Sequence, residues 1–126
     1  MYIQRVGDFE KIYQFESFPA EFKKLASGGK WNAYRNWLFR NLENLEKHPH
    51  QVVDGFRIEK LQGTAPPLYA IRKPNGRAGN PRVVFAYISS DGDICLLYAF
   101  EEKNASDYDR AITIAHNRLQ RIEEGE

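Results

Sequence analysis

Arg72 and Arg82 stand ten residues apart, on either side of "PNGRAGNP" (74–81), a stretch carrying three turn signals. A guanidinium is always charged and presents a rigid fork of donors, which suits the oxygens of a phosphate. Arg82 opens the otherwise apolar run "RVVFAYIS" (82–89), and a charge in that position needs water or an anion beside it. A second group follows later. Glu101, Glu102 and Lys103 come directly after the apolar run "ICLLYAF" (94–100), and Tyr108 lies five residues beyond Lys103. Charges packed at the joint between a strand and a helix could form the rim of a site. They could equally blunt a strand edge.

The formal net charge of +1 conceals a division along the chain. Residues 56–90 hold Arg57, Lys60, Arg72, Lys73, Arg77 and Arg82 against Glu59 alone, whereas residues 91–126 hold four basic and nine acidic side chains. A local field matters even when the total is near zero, so the middle block could hold a polyanion such as RNA. Arg57, Lys60, Lys73 and Arg77 are the candidate RNA-backbone contacts.

Other chemistries find less support. The single cysteine, Cys95, lies in an apolar run and reads as a buried free thiol. His48, His50 and His116 do not form a ligand set, so no metal site is expected. No window approaches the ~18 consecutive apolar residues of a membrane helix. "MYIQRVGDFE" lacks the pattern of a secretion signal. These features point to a cytoplasmic protein with no membrane partner. A length of 126 residues, 42% of them hydrophobic, suits one domain spanning 1–126.

The elements that would position the charged groups follow from periodicity. "KIYQFESF" (11–18) alternates enough for a strand. Pro19 then suits the first turn of a short helix, with Ser17 as a possible cap. Gly28 and Gly29 end it. Trp31, Tyr34, Leu38, Leu42 and Leu45 recur at helical steps across 31–47, and Pro49 stops that second helix. Four strands follow within 55–61, 67–73, 82–89 and 94–100, with a tight turn at 90–93. Tyr108, Ile112, Ala115, Leu119 and Ile122 mark the inward stripe of a last helix, capped by Ser106 or Asp107.

The expected fold is therefore α+β: a twisted antiparallel sheet of four to five strands, with a helical hairpin towards the N-terminus and a C-terminal helix on one face. The other face should be open. Arg72 and Arg82 would meet there among small residues such as Ala70 and Ala86, forming a cradle for a phosphate backbone.

Several segments resemble the RelE/HigB branch of the RelE/ParE toxins. Lys60-Leu61-Gln62-Gly63, Leu68-Tyr69-Ala70-Ile71-Arg72, Arg82-Val83-Val84-Phe85 and Leu96-Leu97-Tyr98-Ala99-Phe100 follow that branch's motifs in order and with consistent gaps. The resemblance implies the toxin of a type II toxin–antitoxin module. Such a toxin is a ribosome-dependent mRNA endoribonuclease, with a fold like the microbial ribonucleases. It uses no metal or organic cofactor and cuts by attack of the ribose 2′-hydroxyl on the adjacent phosphate. Its partners would be a cognate antitoxin, the ribosome and mRNA, with DNA met only through the antitoxin complex.

By the same resemblance, Arg72 and Arg82 are phosphate and transition-state contacts, and Lys103 is a further phosphate contact. Tyr108 would stack a base or orient a proton. Four positions differ from the family habit. Glu101 and Glu102 stand where lysines are usual, Tyr98 replaces a histidine, and Ala70 replaces a lysine of one branch. Glu101 or Glu102 could then be the base that accepts the 2′-hydroxyl proton, with Glu101 the assigned residue. Two alternatives stay open: a ParE-like toxin that inhibits gyrase without cutting RNA, and an inactive relative that only binds its antitoxin.

Overall fold

The chain begins with a hairpin of strands. β1 (Ile3–Arg5) and β2 (Ile12–Phe15) run antiparallel, joined through Gly7, whose φ of 48° is one that glycine adopts without steric cost. The computed structural model describes residues 2–49, 58–73 and 79–125. Two helices follow the hairpin, α1 (Phe18–Leu25) and α2 (Trp31–Lys47). Pro19 sits in the first turn of α1; Ser17 precedes it but makes no side-chain cap bond. Then come β3 (Ile58–Lys60), β4 (Tyr69–Arg72), β5 (Pro81–Tyr87), β6 (Ile94–Glu101) and the long helix α3 (Ser106–Glu124).

These strands form one six-stranded sheet in the order β1-β2-β6-β5-β4-β3. The four-strand meander from β3 to β6 is antiparallel throughout, as short connections require. The sheet as a whole is mixed, because β2 pairs with β6 in parallel, Ile12 opposite Ile94. This differs from the antiparallel sheet of four to five strands read from the sequence. The helical pair separates β2 from the meander, so no tight turn dictates the direction in which β2 docks. The helical hairpin is also not the chain's first feature, since two strands precede it.

Both faces of the sheet are covered. On one, Phe18 and Phe22 of α1 and Tyr34, Trp37, Leu38, Leu42 and Leu45 of α2 pack on Ile12, Ile71, Val83, Phe85, Ile94 and Leu96. On the other, Ala111, Ala115, Leu119 and Ile122 of α3 pack on Phe15, Leu68, Ala70, Val84, Ala86, Cys95 and Leu97. The expected open face is thus closed by α3. The small residues that suggested an empty cradle are the floor that lets Ala111 and Ala115 bring a helix backbone close.

A bulge in β6 sets which side chains reach which face. Phe85 stands opposite Leu96 and Val84 opposite Tyr98, so Leu97 is an extra residue in the register. Leu97 and Tyr98 both pack on the α3 side. Beyond the bulge the alternation is inverted, which sends Phe100 to the α3 side and Ala99 to the α2 side.

Candidate functional site

Arg72 and Arg82 are direct cross-strand partners in the β4–β5 ladder. Their alternate neighbours Ala70 and Val84 belong to the α3-side core, so both guanidinium stems point to that face. Like charges placed opposite each other repel, and carboxylates offset them here. Arg82 is only 6% exposed. Its Nε donates to Glu102 Oε1 at 3.0 Å and to the Tyr108 hydroxyl at 3.1 Å, Nη1 donates to the Pro81 carbonyl at 3.0 Å, and Nη2 lies 2.9 Å from Glu102 Oε1. Burial of a charge demands this density of partners.

Arg72 is held more loosely. Its side chain is 39% exposed, and Nη1 lies 3.7 Å from Glu59 Oε2, an ion pair too long for a hydrogen bond. Its Nε is buried and has no hydrogen-bond partner among the described residues. The Arg72 main chain is fixed from the opposite face, where Trp37 Nε1 donates to its carbonyl at 3.1 Å.

Tyr108, from the first turn of α3, joins the two arginine sites. Its hydroxyl accepts from Arg82 and donates to Glu59 Oε1 at 3.3 Å, and its ring meets Phe100 edge-on with centroids 5.3 Å apart. Burial pushes the phenol up to about 12. Arg82 opposes that shift, and Glu59 and Glu102 add to it. The group therefore remains a neutral hydroxyl at physiological pH. A continuous chain results: Arg82 to Tyr108 to Glu59, with Arg72 beside Glu59 and Glu102 on Arg82. Two cations, two anions and one neutral donor share one corner of the sheet.

Other expected members lie elsewhere. Glu101 is on the α2 side, where it accepts from the Tyr34 hydroxyl at 3.1 Å and from the Asn80 backbone N–H. The β6 bulge is the reason, because it inverts the face of every residue after it. Burial, with Glu101 adjoining, pushes the Tyr34 phenol up to about 12. Gly79, at φ 136°, lies against Glu101 and Tyr34 so closely that a Cβ there would collide with both. Glu101 fastens the start of β5 to α2 and is not a base beside the arginines.

Lys103 is exposed. Its backbone N–H donates to Asp107 Oδ2 at 2.7 Å. Asp107 also accepts from Asn104 N at 3.0 Å; these two backbone bonds chiefly lower its pKa. It thus anchors the turn before α3, where Ala105 is the N-cap and the Ser106 hydroxyl donates to Asn104 Oδ1. Lys60 alternates with Glu59 on β3 and shares a side with Ile58, away from the arginine cluster. Lys73 follows Arg72 at the end of β4, half-buried. Arg57 and Arg77 lie outside the described residues. Asp93 accepts from Ser89 in the β5–β6 turn, at the far end of β5 from Arg82.

Three contributors are absent from the sequence reading. Glu59 had one signal, as the lone acid of the basic block. Trp37 had none, because its indole reaches an arginine carbonyl distant in sequence. Arg118 of α3 donates to Leu97 O at 2.8 Å and to Glu21 of α1 at 2.7 Å, close to the rings of Phe15 and Tyr98. It satisfies the bulged carbonyl just beyond the last β2–β6 pair, Gln14 with Leu96. Cys95 is buried, and burial pushes its thiol up to about 12, which leaves it unreactive.

No protein-family model, curated protein or solved structure matches this chain. Among the described residues no group of three or more His, Cys, Asp or Glu side chains could hold a metal, and no helix is long and apolar enough to cross a membrane.

Proposed function

We propose that this chain is a RelE/HigB-type toxin of a type II toxin–antitoxin module, an endoribonuclease acting on ribosome-bound mRNA in the cytoplasm. The observation that carries the reading is the direct opposition of Arg72 and Arg82, with Tyr108 and Glu59 hydrogen-bonded between them. The ordered motifs of the RelE/HigB resemblance support it independently. Its partners would be a cognate antitoxin, the ribosome and mRNA.

The cluster has the parts that 2′-hydroxyl attack needs. Glu59 takes the proton from the 2′-hydroxyl. The O2′–P bond forms as the P–O5′ bond breaks, with Arg72 and Arg82 holding the phosphorane oxygens. Tyr108, protonated at neutral pH, gives its proton to the departing 5′-oxygen. Glu59 then returns a proton to the phenol along their existing hydrogen bond. The products are a 2′,3′-cyclic phosphate and a 5′-hydroxyl. Glu59 here replaces Glu101 as the base, because Glu101 lies across the sheet.

One observation favours a second reading, an inactive relative that only binds its antitoxin. Arg82 is nearly buried under α3 and already held by Glu102, Tyr108 and Pro81. Induced expression followed by mapping of new 5′ ends on mRNA separates the two. The nuclease reading expects ends inside codons, lost in Arg72→Ala, an exposed site whose change should leave the fold intact. Intact mRNA with the wild-type chain contradicts it.

A further inference from the structure

We propose that the Glu102 carboxylate occupies on Arg82 the place of an RNA phosphate, and that RNA binds by displacing it. This rests on the nuclease reading and concerns how its site is occupied at rest. Arg82 offers Nε and Nη2 to a single oxygen of Glu102, at 3.0 and 2.9 Å. A fork aimed at one anionic oxygen is the geometry a phosphate oxygen would meet.

Glu102 is built to leave. It lies one residue past β6, its backbone N–H fixed on Asn80 O at 3.0 Å, while its side chain is 29% exposed. The main chain is therefore anchored, and the carboxylate can rotate into solvent. Its departure would open the one fork that is now filled. Directly opposite, Arg72 has a buried Nε with no partner among the described residues, and its nearest carboxylate is 3.7 Å away. A phosphodiester carries two non-bridging oxygens. One could take Glu102's place and the other meet the partly exposed end of the Arg72 guanidinium.

A purely structural ion pair predicts differently. Then Glu102 would only neutralise a buried cation, and its loss would lower stability without tightening any ligand. The two cases separate in binding of a fluorescently labelled single-stranded RNA oligonucleotide to the full chain. Glu102→Gln keeps an amide oxygen for Arg82 but removes the charge. It should tighten RNA binding by about ten-fold. The slope of log K against log salt should stay unchanged, because Arg82 meets the same single phosphate in both complexes. Glu102→Asp, which keeps the charge on a shorter stem, should fall between; it serves as well should the Gln variant fold poorly.

Unchanged or weaker binding in both Glu102 variants, with RNA affinity still falling in Arg72→Ala and Arg82→Lys, overturns the displacement proposal and leaves the nuclease reading standing. RNA binding indifferent to all four substitutions overturns both. Inorganic phosphate, run alongside, should compete only at far higher concentration. Equal potency would mean that the corner is an isolated anion site and that RNA is not its ligand.

Discussion

At the scale of single residues, the account turns on how a buried guanidinium is kept satisfied. Arg82 has carboxylate, phenol and carbonyl partners, so its truncation leaves Glu102 and Tyr108 without their donor. Arg82→Ala should cost about 3–5 kcal/mol of stability as well as activity. Chemical denaturation measures the first, and Arg82→Lys helps to separate the two. Tyr108 and Tyr34 make a sharper prediction. Both phenols are pushed from 10.0 to about 12 in the folded protein. Between those values the native state holds protons that the unfolded chain has released. The stability they contribute is complete below pH 10 and lost as pH rises toward 12. Unfolding free energy should therefore fall over that window, less steeply in Tyr108→Phe and Tyr34→Phe. Equal slopes in all three proteins would contradict the assigned environments.

At the scale of elements, the β6 bulge and the seat of α3 decide which groups meet. The bulge sends Glu101 to Tyr34 and Asn80 and leaves Glu102 for Arg82. Gly79 makes room for that tether. Gly79→Ala should lose about 1–3 kcal/mol, from its φ of 136° and the collision with Glu101. Arg118→Met removes the donor to Leu97 O and Glu21 and should lose roughly 2 kcal/mol, read from a denaturant midpoint. Most strands and helices were legible, because "RVVFAYIS" is apolar on both faces and α2 keeps a helical stripe; β1 was not, since "IQR" is too short and polar to carry a pattern. Trp31 shows the limit of that stripe: it matches the helical spacing yet is 45% exposed, while Trp37, off the stripe, is buried. The parallel docking of β2 on β6 was not legible, since partner and direction are tertiary choices with no local signal. Nor was the bulge, for which "ICLLYAF" offers no glycine or polar break.

At the scale of the molecule, the sheet carries a helical layer on each face, and the arginine corner sits at the edge of one of them. The sequence placed Arg72 and Arg82 on a common side, and the β4–β5 register, which sets them opposite each other, agrees. It could not tell an empty side from one roofed by a close helix. Alanines and a cysteine suit either, and only the need of α3's apolar stripe for a floor resolves the choice. The partial roof matters for function. It leaves Arg72, Glu59 and Glu102 partly exposed while withdrawing Arg82, so the proposed binding would begin at Arg72. The most direct test is cleavage of mRNA on translating ribosomes in a reconstituted system, comparing wild type with Arg72→Ala. The account predicts fragments ending in a 2′,3′-cyclic phosphate, formed about 10²–10³-fold more slowly by the variant. Equal rates in the two proteins, or no cleavage by the wild type, would contradict it.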